Sequence, residues 1–355
     1  MNETLLLADV GGTNTRLSVM DLAADMLHSP NIIQNRVARI SRKQSFLDFL
    51  SNTLCSLESS PSLAVLCFAG PVSNGAVSMT NWDEVPDIYL DELVRSGLPA
   101  DACTLMVNDM DAAAASLVAH HRKLALLDLI TLSAGSAEAH SGNHNSVIII
   151  PGTGTGVAGL IEDSLPGGGK HLVAVSCELQ HTPIPELDEM QARVLGVMRS
   201  EYPESRPSWE DFISGRGLEQ IYACLPHRDG WLESKSPEVV TAEEIARRAI
   251  HSKDDRCLNA MDIFYRCAGS LAQLLALGFQ AFGGVYLAGE STRYNLDFIR
   301  QSGFMEAFHE NGVRRDWIKK IPVYLTAADV NLAGTAMIAA QYAGLLAHEL
   351  PDGHR

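Results

Sequence analysis

The feature that most constrains the fold is a unit written twice: an apolar strand, a tight glycine-rich turn, and a second strand. The first copy runs Thr4–Val10, Gly11–Asn14 and Thr15–Met20. The second runs Ser146–Ile150, Pro151–Gly156 and Val157–Glu162, followed by a turn at Pro166–Gly169 and a strand at His171–Ser176. Short strands joined by such turns make β-hairpins rather than strand-to-helix connections. The echo is one of architecture, not residue identity.

Between and after the two units the chain alternates strands with helices. Strands are expected at Ser62–Ala69, Ala76–Thr80, Cys103–Val107, Val285–Ala288 and Pro322–Thr326, with a turn at Pro71–Gly75. Helical patterns cover Ser45–Leu57, Asp87–Ser96, Asp111–Leu127, Leu187–Ser200, Trp209–Ala223, Ala242–Ile250, Cys257–Phe282 and Leu332–His348. Thr241 and Glu244 have capping-box spacing. The polar stretch Ser133–Asn145 reads as a connection between two lobes. With 355 residues the chain is long enough for two lobes of roughly 100–200 residues each. This order argues an α/β protein with two sheets.

Charge narrows the partners. The balance of 27 basic against 43 acidic groups gives a net of −16. Such a field repels nucleic acid, so no nucleic-acid partner is expected. A nucleotide site here has to work through backbone N–H groups and a metal ion. No apolar run approaches the roughly 20 residues of a membrane span, so no membrane partner is expected. The N-terminal stretch lacks a basic leader, and the seven cysteines contain no C-x-x-C pair. Reduced thiols in a cytoplasmic protein are therefore expected.

Four clusters could carry chemistry. In Asp9-Val10-Gly11-Gly12-Thr13-Asn14, the glycines let backbone N–H groups approach a phosphate, Thr13 adds a hydroxyl, and Asp9 could hold Mg²⁺ through its water shell. No Lys-Ser/Thr follows, so this is not a Walker loop; an ordinary hairpin turn is the alternative. Gly152-Thr153-Gly154-Thr155-Gly156 is a second row of potential phosphate donors. Asn108-Asp109 ends an apolar strand, where Asp109 could accept a hydroxyl proton and Asn108 orient the sugar. The competing reading is a helix N-cap. Glu178 and His181, with Glu210 beyond, offer acceptors for sugar hydroxyls. A metal reading of Glu-x-x-His is set aside because no second such pair accompanies it.

Together these motifs resemble the bacterial-type glucokinase family of the hexokinase–actin superfamily, over nearly the whole chain. ADVGGTNTRLSV and GTGTGVA are similar to its two phosphate loops, and VNDMDAAA to its catalytic Asn-Asp followed by a helix. FAGPVSNGAVSMTNW resembles its strand-turn-strand ending in Thr-Asn, and CELQH its Glu-Gly-Gly-His sugar motif. WEDFISGRGLEQIY resembles a further sugar-contacting segment. GGVYLAGES resembles the adenine-side motif, and IPVYLTAADVNLAGTAMIA the C-terminal strand and helix. Two positions depart from the pattern: Leu179-Gln180 stands where glycines are usual, and Glu290 follows Gly289 where a second glycine is common. The first could reshape the sugar pocket, the second the choice of phosphate donor. The cysteine–zinc motif of related repressors and open-reading-frame kinases is absent.

The resemblance implies a two-lobed actin/hexokinase-like (ribonuclease H-like) α/β fold with a sugar/ATP cleft between lobes. The small lobe would span 1–112 plus 335–355, and the large lobe 113–334. It implies ATP-dependent phosphorylation of glucose at the 6-hydroxyl with Asp109 as general base. Asn108, Asp109, Glu178, His181 and Glu210 would be the sugar ligands. Asp9, Gly11, Gly12, Thr13, Asn14, Gly152, Thr153, Gly154 and Gly289 would be the ATP contacts, with Asp9 on Mg²⁺ through water. A homodimer is also what the resemblance suggests. The alternatives are a kinase for another hexose or amino sugar, and a non-catalytic sugar- or nucleotide-binding relative.

Overall fold

The computed structural model describes residues 3–23, 25–80, 82, 87–100, 103–136, 144–164, 170–201, 204, 206–226 and 239–346. The expected turn at Pro166–Gly169, part of the connection Ser133–Asn145 and the end of the closing segment lie outside these residues. The chain forms two compact units: Met1–Asp128 with Glu162–Ser176 and Ala328–Asp352, and Leu129–Ile161 with Cys177–Ala327 and Gly353–Arg355.

In the first unit, β1 (Thr4–Val10) and β2 (Asn14–Asp21) form the expected antiparallel hairpin, with Asp9 opposite Arg16 and Val10 opposite Thr15. β1 pairs in parallel on its other side with β4 (Leu63–Phe68), and β4 with β8 (Thr104–Asn108). β3 (Ile32–Arg39) extends the sheet beyond β2, giving the order β3-β2-β1-β4-β8. Every residue of β1 and β4 is buried, as expected of strands covered on both faces. β3 alternates between exposed and half-buried. An edge strand buries little, so IIQNRVAR carries no strong apolar pattern and the sequence reading assigned it no element.

Beside this sheet lies a small one made of β5 (Val72–Ser73), β6 (Ala76–Ser78) and β7 (Asp87–Tyr89). Its β5–β6 turn is Asn74-Gly75, with φ of 51° and 70°. Two successive positive φ values define the tight hairpin turn that Asn-Gly favours. The segment Asp87–Ser96, expected to be helical throughout, begins as β7 and turns helical only over Leu90–Arg95. Pairing of Ile88 with Val77 outweighs the local helical pattern at its start.

Two helices of this unit position the site. The alanine-rich helix Asp109–His121 starts two residues earlier than expected and buries Ala112–Ala119. It packs against the C-terminal helix Val330–Tyr342. At their crossing a Cβ added to Gly334 would lie 1.7 Å from the Ala112 carbonyl oxygen. The two backbones therefore touch, which requires glycine at 334.

The second unit repeats the arrangement. Its strands β9 (Leu129–Ser133), β10 (Ser146–Pro151), β11 (Thr155–Ser164, of which residues 155–161 belong to this unit), β13 (Gly284–Ala288) and β14 (Val323–Thr326) lie in the order β11-β10-β13-β14-β9, while β12 (Lys170–Cys177) falls almost wholly within the residues of the first unit. β10–β11 is an antiparallel hairpin, and β10 pairs in parallel with β13 as β1 does with β4. β9 adds antiparallel to β14 and had no counterpart in the sequence reading. The core of this unit is built around the helix Asp255–Phe279. Thr241 caps the helix Ala242–Arg247 through its hydroxyl. The Glu244 carboxylate, however, turns to Arg247 and Arg248 instead of closing the box. Among the described residues no helix is long and apolar enough to cross a membrane.

Candidate active site

In the first unit the end of β1 delivers Asp9 into a buried position, 6% exposed. Its Oδ2 accepts from Arg16 Nη1 at 3.1 Å, and its Oδ1 from Asn331 Nδ2 at 3.1 Å and from the Cys67 thiol at 3.6 Å. Burial, and then the charge of Asp329, push its pKa up; Asn331 and Arg16 oppose them. Arg16 also reaches Asp329, with Nε 3.5 Å from Oδ2. The turn that follows is held from behind. Gly11 N–H donates to Asn14 O at 3.0 Å, Trp82 Nε1 to Gly11 O at 3.3 Å, and Ile40 N–H to Thr13 O at 2.9 Å. Thr13 and Asn14 are exposed, and Gly11 and Gly12 half-buried.

At the end of β8 the cap question has a clear answer. Asn108 is the N-cap: its Oδ1 accepts from Met110 N–H at 2.8 Å while its Nδ2 donates to Gly70 O at 2.9 Å. Asp109 is the first helical residue, so its carboxylate is not consumed as the cap. Its pKa is raised to about 7, by burial first and by the negative charge of Asp9 second, against the pull of backbone amides at the helix start. A carboxylate titrating there can take a proton at neutral pH.

In the second unit the turn between β10 and β11 is pinned by Gly152 N–H to Gly154 O at 2.7 Å. The stretch Trp209–Ala223, expected as one helix, is two: Glu210–Ile213 and Gly215–Cys224. Ser214 between them is extended, with φ −93° and ψ 170°, and its hydroxyl caps the second helix at Gly217 N–H. Glu210, at the start of the first helix, and Gly215, at the start of the second, both bond to the turn. Glu210 Oε2 accepts from Thr155 N–H at 2.8 Å, and Gly215 N–H donates to Gly152 O at 2.8 Å. Gly154 passes so close that an added Cβ would lie 2.7 Å from Glu210 Oε2.

Glu178 heads a short 3₁₀ turn over Leu179–His181. Its Oε2 accepts from Gln180 Nε2 at 2.6 Å and lies 3.3 Å from His181 Nε2. An antiparallel bridge between Pro183 and Ser208, with Trp209 N–H donating to Thr182 O at 3.3 Å, sets this segment beside the one that carries Glu210. Gly289 has φ +113°, the left-handed region that glycine favours. Glu290 opens the next short helix and lines a cavity of about 640 Å³, together with Gly152, Gly215, Ala246, Phe264 and Tyr294. That volume suits a small organic ligand. Glu290 borders the cavity without closing it.

Sequence reasoning gave no site role to Arg16, Asp329 or Asn331. Asn331 bonds to Asp9 across 322 positions, and nothing local in the sequence signals that contact. Asp329 could have been found as the cap before the apolar helix; its Oδ1 accepts from Leu332 N–H at 3.1 Å.

Carboxylates at the ends of β1 and β8, two glycine turns on matching hairpins and a cavity beside one of them define a phosphotransferase-like α/β protein. The chain belongs to the glucokinase family, whose model matches residues 6–342. The glucokinase of Photorhabdus laumondii is 30% identical over 350 residues, covering 98% of this chain and 100% of that protein. The fold is shared with the glucokinase of Balamuthia mandrillaris in complex with glucose, at TM-score 0.74 and 22% identity, covering 96% of this chain and 94% of that one. A ROK family glucokinase from Streptomyces griseus in complex with glucose and AMPPNP matches at TM-score 0.59 and 19% identity, covering 95% and 99%.

Proposed function

We propose that this chain transfers the terminal phosphoryl group of ATP to the 6-hydroxyl of glucose, with Asp109 as general base. The observation that carries the reading is the half-buried Asp109 at the end of β8, left uncapped by Asn108 and raised to about 7. Asp109 accepts the hydroxyl proton as the new P–O bond forms, and Asn108, through the second hydrogen of its Nδ2, orients the sugar. Glu178, His181 and Glu210 accept or donate hydrogen bonds to the other hydroxyls. The turns Gly11–Asn14 and Gly152–Gly154 hold the phosphates through backbone N–H groups. The cavity beside Gly152 and Glu290 takes the adenosine, past Gly289. The Streptomyces relative's glucose and AMPPNP, an ATP analogue, support the choice of substrates.

Among the described residues no group of three His, Cys, Asp or Glu side chains is arranged to hold a metal ion. That fits Mg²⁺ bound mainly by phosphate and water, with Asp9 accepting from its water shell. When bound, Mg²⁺ offsets charge on the transferring phosphoryl group. The reading carries with it a cytoplasmic location and a homodimer, which light scattering of the purified chain checks.

The test is coupled ADP release from Mg-ATP with glucose, mannose, fructose, glucosamine and N-acetylglucosamine. Glucose-dependent release is the expected result. Release with another sugar alone would reassign the substrate, and none with any sugar would overturn the kinase reading. Glu178→Gln is expected to raise the sugar KM by about tenfold with kcat little changed, as removal of a charged hydrogen-bond acceptor should. An unchanged KM would remove Glu178 from the sugar site.

The pH profile follows from the sign of the Asp109 shift. The base form exists above about 7, so kcat/KM should rise about tenfold per pH unit below that value and level off above it. A profile flat down to pH 5 would exclude Asp109 as the titrating base.

A further inference from the structure

Leu179 and Gln180 occupy the positions where glycine was expected, yet the backbone there does not need glycine. None of residues 178–181 has a positive φ, and Glu178 itself sits at φ −117°, ψ 29°. The side chains are therefore free to act. Leu179 packs against the core of the second unit and anchors the turn. Gln180 is 5% exposed, and its Nε2 donates to Glu178 Oε2 at 2.6 Å. His181 Nε2 approaches the same oxygen at 3.3 Å. The Glu178 side chain is 80% exposed, and among the described residues Gln180 and His181 are the hydrogen-bond and ion-pair partners that select its rotamer. Gln180 Oε1 is buried and has no hydrogen-bond partner among the described residues. An unpaired buried carbonyl costs stability, so Gln180 is a poor choice for packing alone.

We propose that Gln180 is a positioning residue for sugar binding: it holds Glu178 with Oε2 engaged and Oε1 turned outward as the acceptor for one sugar hydroxyl. This rests on the reading of Glu178 as a sugar ligand. Fixing the carboxylate before the sugar arrives removes the rotamer entropy that binding would otherwise have to overcome. The contact is charge-assisted, which makes it strong enough to hold an exposed side chain. In return the turn keeps one unsatisfied oxygen, a local cost of the kind found at functional sites.

The test is direct glucose binding by calorimetry on the full chain, with thermal melting alongside, for Gln180→Met, Gln180→Glu and Glu178→Gln. Met keeps the length of Gln but removes both the donor and the unpaired oxygen. Gln180→Met is expected to weaken glucose binding about tenfold while Tm holds or rises. Gln180→Glu sets two carboxylates together, so binding should be weak at pH 8 and partly restored at pH 5.5, where the new carboxyl can carry a proton and donate it. Unchanged binding in Gln180→Met, with Glu178→Gln weakened, overturns the positioning role alone. Unchanged binding in Glu178→Gln overturns the sugar-ligand reading beneath it. Lower Tm in Gln180→Met, with no low-pH recovery in Gln180→Glu, makes Gln180 merely structural and also overturns the proposal.

Discussion

Asp109→Asn is expected to lower kcat by a factor of about 10²–10³, the scale of a lost general base, while the far-UV spectrum stays that of the parent. The carboxylate cannot be replaced by an amide in this role, since the amide takes up no proton at neutral pH. Stability should move the other way. The folded-state pKa of Asp109 is raised from 3.8 to about 7, so between those values the folded chain binds more protons than the unfolded one. Its stabilising protonated form is complete below about 4 and is lost as pH rises through about 7. The amide of the variant has no such charge to bury. Melting curves of the variant and the parent should therefore separate as pH rises from 4 to 8, with the variant the higher of the two at pH 8. Near-parental kcat in the variant would move the base to another residue. Melting curves that track each other across that range would mean that burial of the Asp109 charge is not costly.

The second large effect lies away from any substrate. Gly334→Ala places a Cβ 1.7 Å from the Ala112 carbonyl oxygen, too close for side-chain motion to relieve because the neighbour is backbone. The helix Val330–Tyr342 must then withdraw from the helix Asp109–His121, three residues beyond the proposed base. Tm is expected to fall by about 5–10 °C, with kcat of the folded fraction reduced as Asp109 shifts. A variant with unaltered melting would mean that the helices separate at little cost and that their contact does not locate Asp109.

These two residues show different limits of reading a sequence. Asp109 was found from its place after an apolar strand and before an alanine-rich helix, a pattern written in adjacent residues. Whether it was the cap or the base was not written there, because Asn and Asp are both good caps. Gly334 lies in an apolar helix with no local need for glycine, and its reason is Ala112, far away in the chain. The helix break at Ser214 belongs with it. The pattern from Trp209 to Ala223 is helical throughout, and the extended Ser214 becomes favourable only because Gly215 and Glu210 bond to the turn at Gly152–Thr155. The edge strand β3 escaped notice for the opposite reason: it buries too little to leave an apolar period.

The chain's sequence by itself determined the hairpins, their glycine turns and the strand end that carries Asn108 and Asp109. Each depends on backbone preferences and burial patterns of residues next to one another. The expected turn Pro71–Gly75, by contrast, narrowed to Asn74-Gly75 once Val72–Ser73 paired as β5. Only the tertiary structure decided which side chains meet: Asn331 and Arg16 on Asp9, Glu210 on Thr155, Gln180's donation to Glu178 in place of a glycine, and the burial that lifts Asp109 toward neutral pH. Contact and desolvation are set by what packs around a group, and residues distant in the chain supply most of that packing.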